Sequence, residues 1–302
     1  MPNFFEMQTE YLASLNIIYG DLDASLVAMV ITSQLYKDTI KINGNLGNIS
    51  IKSFYEKKNI KLPVSNFKIK EISSTLNLPR ETVRRKKDRL IKDKIIIFDK
   101  KNNLYSLNTD RIDKKILEVQ IYNISKFLSK FSVFFTQNNS FVREVSQKQI
   151  EKDVNEKFLI YLTKFLDFQI SYFASLKTIM DIESVFISIL CTLNTLTAKK
   201  YKNEKPLNIK NIFCRLNELD HGFGLNASSI SEITKIPRTT VLRKITNLEK
   251  IGILKKDKFK RYCFDDLTRT KESKKLLPAM QYTLELLGIF FSQCLETYSS
   301  KH

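Results

Sequence analysis

The sequence predicts a mostly α-helical fold with small β-hairpins, in which one arrangement of elements occurs twice. Apolar residues recur at helical spacing over long segments, and only 7 Gly and 6 Pro interrupt 302 residues. Two distant segments also repeat each other. A hydrophobic content of 43%, with 21 Phe, is typical of a globular chain with an ample core.

The internal repeat is clearest between residues 72–95 and 230–253, which are identical at 11 of 24 positions. The match continues in order toward both ends of the chain, pairing Tyr11–Leu15 with Tyr172–Leu176, Asp23, Val27, Ile31 and Leu35 with Asp181, Val185, Ile189 and Leu193, and Phe134–Gln137 with Phe290–Gln293. We therefore predict a first unit over 1–140 and a second over 158–302. The residues between them, 141–157, carry apolar side chains at helical spacing and predict a helical linker.

Each repeat is predicted to begin with two amphipathic helices and a shorter third helix. The expected ranges are 4–19, 22–37 and about 50–58 in the first repeat, and 158–179, 181–198 and about 208–217 in the second.

A short helix, a tight turn and a second helix follow. In the first repeat these are Ile69–Leu76 and a helix beginning at Pro79, since proline is accepted in a first turn, where its missing N–H has no partner. In the second repeat, Ser229–Glu232 has the form of a capping box that begins the shorter helix.

A β-hairpin and a long closing helix complete each repeat. The hairpins are predicted at 95–98 with 104–107 and at 253–254 with 262–264, and the closing helices at 110–137 and 269–297. Two helices at a tight turn followed by a hairpin define a winged helix-turn-helix, so the fold class is two such units with long N- and C-terminal helices.

The spacing of apolar residues predicts that Val83, Leu90 and Ile95, and likewise Val241, Leu248 and Ile253, face the core. Basic and hydroxyl side chains then project from the opposite face and from the hairpin tips. The DNA-binding residues predicted in this way are Arg80, Thr82, Arg84, Arg85, Lys100, Lys101, Arg238, Thr239, Thr240, Arg243, Lys258, Lys260 and Arg261. The major groove of B-DNA, roughly 12 Å wide, admits one helix, where arginine reaches guanine and threonine meets a thymine methyl.

The charge of the chain supports the same partner. Fifty Lys and Arg against 32 Asp and Glu give +18, which indicates a polyanion such as nucleic acid or an anionic membrane surface; the alternative is a basic surface that only favours solubility. The longest nearly uncharged apolar stretch, 185–197, is too short for a membrane span of about 20 residues. We expect a cytoplasmic, nucleoid-associated protein without a membrane partner.

Each repeat resembles the MarR (multiple antibiotic resistance regulator) family of winged-helix transcription factors. The resemblance lies in Thr82-Val83-Arg84-Arg85 with Asp88-Arg89-Leu90, in Leu248–Leu254, and in Asp99-Lys100-Lys101 with Leu107-Asn108. Lys86 and Lys87 depart from it, since the family has apolar residues there, and the second hairpin is one residue shorter.

The resemblance implies pairing through the terminal helices, because members of that family are homodimers. Here both closing segments are rich in phenylalanine, at Phe127, Phe131, Phe134 and Phe135 and at Phe290 and Phe291 beside Leu286 and Leu287. We expect an intrachain pseudo-dimer that is a monomer in solution, or at most a homodimer, and that regulates transcription from double-stranded DNA.

Catalysis is not expected. The glycines form no GxxxxGK or GxGxxG loop, and the single internal histidine, His221, permits no histidine-based triad. The four cysteines, Cys191, Cys214, Cys263 and Cys294, have no CxxC spacing and predict buried free thiols, so no cofactor or metal is predicted. The sequence identifies no small-molecule effector.

Other functions fit the same elements. A plasmid-type replication initiator is also built from two related winged helices and would bind iterated repeats. A chromosome-organising or scaffold protein would use its winged helices for protein contacts and leave the basic faces solvated.

Overall fold

A computed structural model describes residues 2–44, 49–56, 65–108, 114–137, 143–200 and 224–298. The described chain is mostly helical with two antiparallel hairpins. Its helices are α1 (Pro2–Tyr19), α2 (Leu22–Ile42), α3 (Ile51–Glu56), α4 (Ile69–Leu76), α5 (Arg80–Lys92), α6 (Lys114–Gln137), α7 (Gln147–Glu156), α8 (Phe158–Lys177), α9 (Ile182–Lys200), α10 (Ala227–Thr234), α11 (Arg238–Lys250), α12 (Lys271–Lys274) and α13 (Leu276–Leu295), with a 3₁₀ turn at Glu296–Tyr298. Strands β1 (Ile96–Asp99) and β2 (Leu104–Leu107) form the first hairpin, and β3 (Leu254–Lys256) and β4 (Tyr262–Phe264) form the second.

Several predictions concern residues outside this described part. They are the helix near 208–217, Cys214, His221, the first residues of the first closing helix at 110–113, and the side chains of Phe134 and Phe135.

The chain divides into two compact units. The second-hairpin unit comprises residues 1–22 and 175–283, and the first-hairpin unit comprises residues 23–174 and 284–302. The bounds predicted from the repeat, 1–140 and 158–302, follow sequence similarity, whereas each compact unit draws on both repeats.

In the second-hairpin unit, helix α1 from the first repeat packs against α9 and α10 of the second repeat. Tyr11 and Leu12 of α1 are buried, and Asn16 Nδ2 donates a 2.9 Å hydrogen bond to the carbonyl oxygen of Thr234 at the end of α10. Helix α9 also contacts the second hairpin, where the Phe264 N–H donates to Thr195 Oγ1 at 3.3 Å. Helix α9 is thus the buried centre of this unit.

In the first-hairpin unit, α8 from the second repeat packs beside α2 of the first. Asp167 of α8 accepts hydrogen bonds from Ser33 Oγ at 2.6 Å and from Lys37 Nζ at 2.7 Å. Tyr36 and Phe158 are buried beside Phe54, with ring centroids 5.7 and 5.5 Å from that of Phe54. The first helix of each repeat therefore lies against helices of the other repeat.

The closing helices α6 and α13 also meet in the first-hairpin unit. The ring of Phe131 stacks on that of Phe291 at 3.8 Å, and the Phe127 ring lies 5.2 Å from the same ring. These contacts bury part of the phenylalanine-rich surface seen in the sequence.

The linker region contains helix α7. The side chain of Ser146 caps it by accepting from the Gln149 N–H, and Ile150 and Val154 on its apolar face are buried. The charged residues lie on its other faces, as the spacing in the sequence predicts.

Several predicted boundaries are wrong. Helix α2 ends at Ile42 and not at residue 37, and the helix of the linker covers only Gln147–Glu156 and not 141–157. The shorter helix of the second repeat begins at Ala227 and is capped by Asn226, whose side-chain oxygen accepts from the Ser229 N–H at 2.8 Å, so Ser229 lies inside the helix. The segment 269–297 is not one helix, because Lys275 separates α12 from α13. Pro278 lacks the N–H of a continuous helix, and its ring disfavours helical backbone one turn earlier.

Cys191, Cys263 and Cys294 are buried free thiols, and burial raises the pKa of Cys294 to about 12. Over the described ranges, no single helix combines the length and apolar character needed to cross a bilayer.

Candidate nucleic-acid interface

The turn between the two short helices has the same geometry in both repeats. Asn77 after α4 and Lys235 after α10 adopt left-handed backbone conformations, with φ of 51° and 57°. Pro79 and Pro237 then occupy the N-cap positions of α5 and α11. A left-handed residue ends one helix and a proline caps the next, so only three residues join the two helices in each repeat.

Matching hydrogen bonds hold both turns. Ser73 Oγ donates to the carbonyl oxygen of Leu78 at 2.6 Å, and Ser231 Oγ donates to that of Ile236 at 2.7 Å. Both Leu78 and Ile236 are buried. The second helix of each pair is therefore fixed against the first by the same serine and the same apolar anchor.

The inner faces of α5 and α11 are buried as predicted, with one difference. Val83 and Leu90 on α5 and Val241 and Leu248 on α11 are buried. Of the two isoleucines that follow these helices, Ile253 is buried and Ile95 is only half-buried.

The opposite faces expose nearly every residue predicted to bind DNA. Arg80, Arg84, Arg85, Arg238, Thr239 and Arg243 on the helices are exposed, as are Lys100, Lys101, Lys258, Lys260 and Arg261 on the hairpins; Thr82 and Thr240 are half-buried. Each second helix belongs to the same compact unit as the hairpin that follows it. The two basic elements of each repeat therefore form part of one folded body.

Two of the exposed arginines are already held by neighbours. Arg84 Nη2 lies 2.9 Å from a carboxylate oxygen of Glu81, one turn earlier on α5. Arg238 Nε donates to Ser228 Oγ at 3.2 Å. An exposed ion pair is stabilised by about 0–1 kcal/mol, so Arg84 can leave Glu81 at little cost for a stronger acceptor.

Lys87 and Lys244 have structural roles instead. Lys87 Nζ lies over the stacked rings of Phe98 and Tyr105, 5.9 and 5.5 Å from their centroids. A lysine in this position lays its apolar stem along the aromatic surface and keeps its charged end toward water. Lys244 Nζ contacts Asp181 at 2.6 Å and Glu183 at 3.2 Å, tying α11 to the start of α9.

The first hairpin ends in a polar turn. Asp99 accepts hydrogen bonds from the Lys101 N–H at 2.9 Å and from Asn102 Nδ2 at 2.7 Å. The Asn102 hydrogen bond is the main cause that holds the pKa of Asp99 below its ordinary value. Lys100 and Lys101 are left exposed at the tip.

The second hairpin ends in a tighter turn. The Asp257 carboxylate accepts from the backbone N–H groups of Gly224, Phe259 and Arg261, each at 2.9 Å. Partial desolvation opposes ionisation of Asp257, but these three donors outweigh it and lower the pKa. A Cβ on residue 224 would lie 2.6 Å from the Arg261 backbone, so only glycine fits beside this turn.

The sequence prediction missed Phe259 because a phenylalanine usually indicates a core position. The residue lies between Lys258 and Lys260 at the hairpin tip, and its side chain is 60% exposed. The only signal in the sequence is its position among basic residues in a turn.

The comparisons with known proteins give no match: no family model, curated protein or solved structure matches this chain. The described residues contain no group of His, Cys, Asp and Glu side chains suited to a metal ion.

Proposed function

We propose that the chain is a sequence-specific double-stranded DNA-binding regulator of transcription, acting as a single-chain pseudo-dimer of two MarR-like winged helices. The observation that carries the proposal is the doubled arrangement of helix, turn, helix and hairpin with the same arginines exposed. Arg80 and Arg238 correspond, as do Arg85 and Arg243, and all four side chains are exposed.

The buried residues of these segments explain why their exposed residues are available for a ligand. Val83 and Val241 anchor the second helices, and the serine hydrogen bonds hold the turns. A helix fixed on one side presents its other side with little loss of conformational entropy on binding. The packing of the core does not require arginine at an exposed position, so it does not account for the matching arginines of the two repeats.

Each part of the surface has its own task in this proposal. The second helices enter major grooves, where arginine donates two hydrogen bonds to guanine O6 and N7. The lysines and arginine of the hairpin tips contact phosphates, which fix register without reading sequence. If the pseudo-dimer has two-fold symmetry, its two half-sites lie about 10 bp apart.

The direct test is selection from random duplexes followed by titration at several salt concentrations. Neutralising a phosphate releases counterions, with a log–log slope of about −0.9 per contact. If the chain makes roughly 6–10 phosphate contacts, raising the salt concentration from 50 to 200 mM should lower its affinity by a factor of about 10³–10⁵. A slope near zero contradicts the proposal.

A matched pair of variants separates this surface from the general charge of the chain. One replaces Arg80, Arg85, Arg238 and Arg243 with Gln, and the other replaces the exposed Lys148, Lys152, Lys271 and Lys274 with Gln. Both lose four charges, but we expect only the first to lose most of its affinity and slope. Equal losses would show that charge alone attracts the duplex.

The nature of the selected site distinguishes the alternatives. A single two-part site near a promoter supports the regulator, and iterated copies support a replication initiator. A chain without duplex affinity supports a scaffold. A genome-wide footprint of the protein reads out all three.

A further inference from the structure

Phe259 distinguishes the second hairpin from the first. Its ring is 60% exposed, and it is the only exposed apolar side chain among residues 254–264. In the first hairpin, Lys101 stands at the corresponding position of the turn. The aromatic rings of that hairpin, Phe98 and Tyr105, lie on the strands and stack on each other with centroids 4.5 Å apart. A single exposed apolar side chain is common, so exposure alone does not assign a role.

The rigidity of the turn provides the second observation. The Asp257 N–H donates to the Arg261 carbonyl at 2.8 Å, and the Lys260 N–H donates to the Asp257 carbonyl at 2.9 Å. Lys260 adopts a left-handed conformation with φ of 58°. Together with the three hydrogen bonds to the Asp257 carboxylate, these contacts fix the backbone on which Phe259 stands, although none of them buries its ring.

The charges around the ring provide the third observation. Lys258 Nζ lies 5.4 Å and the Arg261 guanidinium 5.7 Å from the Phe259 ring centroid, within the range of cation–π attraction. An apolar projection between two cations matches a groove whose rims are phosphates and whose floor is base edges and sugars. Proteins that enter the minor groove frequently insert apolar wedges such as phenylalanine between base steps, and they use arginine and lysine to read the groove.

We propose that Phe259 inserts into the minor groove of the bound duplex and wedges against one base step, while Lys258 and Arg261 contact the flanking phosphates. The proposal rests on the proposed function and adds to it an element present in one half of the chain. The wedge bends the duplex at the half-site bound by the second repeat, and the first hairpin makes only phosphate contacts.

A bilayer surface is the competing partner for an aromatic ring among cations. One ring offers far less apolar area than the aromatic and aliphatic face of an interfacial helix, whereas a single ring is sufficient to part a base step. The observations therefore favour DNA.

The first experiment compares full-length variants on the selected duplex. We expect Phe259→Ala to bind about tenfold more weakly and to bend the duplex less, as measured by energy transfer between dyes at its ends. Phe259→Leu keeps an apolar wedge and retains most of both effects. Ile97→Ala removes a side chain that is 50% exposed on the first hairpin, and it serves as the control with unchanged binding and bending.

The salt slope separates the wedge from the phosphate contacts. Because Phe259 carries no charge, Phe259→Ala keeps the wild-type slope while its affinity falls. If the wild-type chain binds the duplex and Phe259→Ala binds and bends it equally well, the wedge is overturned and the proposed function stands. If the wild-type chain binds no duplex, both are overturned.

A spectroscopic variant identifies the partner of the ring. The chain contains no tryptophan, so Phe259→Trp introduces a single reporter at the tip. Quenching of its fluorescence by the selected duplex, with no change on vesicles of phosphatidylserine and phosphatidylcholine, supports the wedge. A blue shift on the vesicles without quenching by the duplex overturns it.

Discussion

The two helix–turn–helix–hairpin segments share their main buried residues and two exposed arginines, and they differ at other outward-facing positions. Val83 and Val241 are equally buried, and the serine that closes each turn makes the same hydrogen bond. On the surface, Arg84 of the first segment corresponds to Leu242 of the second. The buried positions are constrained by packing and backbone hydrogen bonding, whereas the outward-facing positions are not, so residues there can differ between the two segments.

The hairpins differ in the same way. The first ends in lysines on a polar turn, and the second ends in Phe259 on a turn closed by Asp257. Two similar scaffolds thus present unlike chemistry, and a palindromic site read by both is expected to be imperfect. Substitutions and fragments can measure how far the two repeats depend on each other and how far they differ.

The largest expected effect comes from separating the repeats. A fragment of residues 1–140 lacks Phe291, on which Phe131 stacks, and lacks Asp167, which binds Ser33 and Lys37. We expect the fragment to aggregate or to form a homodimer through the bared apolar surface, as measured by light scattering. A monodisperse monomer with a cooperative unfolding transition would show that the contacts between repeats are dispensable.

The backbone position after each second helix gives the next largest difference. Gly252 and Lys94 correspond, and both are left-handed, with φ of 75° and 57°. A Cβ on residue 252 would lie 2.6 Å from the Thr270 side chain. Gly252→Ala should therefore lower the free energy of unfolding by about 2–3 kcal/mol, from left-handed strain and overpacking.

Lys94→Gly is the matched control for that substitution. Relief of left-handed strain and the greater flexibility of the unfolded chain oppose each other there, so its stability should change little. Urea unfolding of the two variants checks both expectations, and equal destabilisation would mean that the Thr270 contact has no special cost.

The difference between Arg84 and Leu242 should appear as unequal half-sites. Arg84→Leu makes the first segment resemble the second, which has Leu242 at this position. Leucine cannot donate hydrogen bonds to a guanine and offers only apolar contact to a thymine methyl. We expect selectivity to relax at one half-site, with a cost of about 1–3 kcal/mol there. Leu242→Arg should produce the opposite change at the other half-site.

Selection from random duplexes reads out both substitutions. A symmetric consensus that stays the same in Arg84→Leu would show that these positions do not read bases. Glu81→Gln is a useful control, since it removes the carboxylate 2.9 Å from Arg84 while keeping the arginine.

The smallest expected effect concerns the ion pairs of Lys244. Desolvation raises the pKa of Asp181, but the hydrogen bond from Lys244 and the N–H of Ser184 outweigh it and lower the pKa overall. A carboxyl with a lowered folded-state pKa stabilises the protein above its unfolded-state pKa of about 3.9, and this stabilisation is lost as pH falls through the folded-state value.

Lys244→Met should therefore cost about 1 kcal/mol at neutral pH, since Asp181 is partly exposed and screened by solvent. The difference from the wild-type chain should shrink below about pH 4, where protonation removes the carboxylate charge in both proteins. Denaturation at a series of pH values measures this difference in the free energy of unfolding. If the difference stays constant through the acid range, the lost stability comes from packing and not from the ion pairs.

The sequence predicts local structure well where a pattern and a boundary residue coincide. The range Ile69–Leu76 and the strand Leu104–Leu107 match the structure at both ends. The boundary of α10 was mispredicted because Ser229 and Asn226 are both good capping residues, and only the local backbone decides between them. Phe259 was missed because residue type indicates hydrophobicity and does not show whether a turn leaves the ring uncovered.

Periodicity and turn chemistry act over a few residues, so the repeat, the order of helices and hairpins, and the basic positions on each second helix can be predicted without a structure. The packing of α1 against α9 and α10, and of α8 against α2, is visible only in the folded chain. An amphipathic pattern records which face of a helix is buried and carries no information about which of two similar partners covers it. That choice depends on contacts between residues far apart in the chain, such as Asn16 with Thr234.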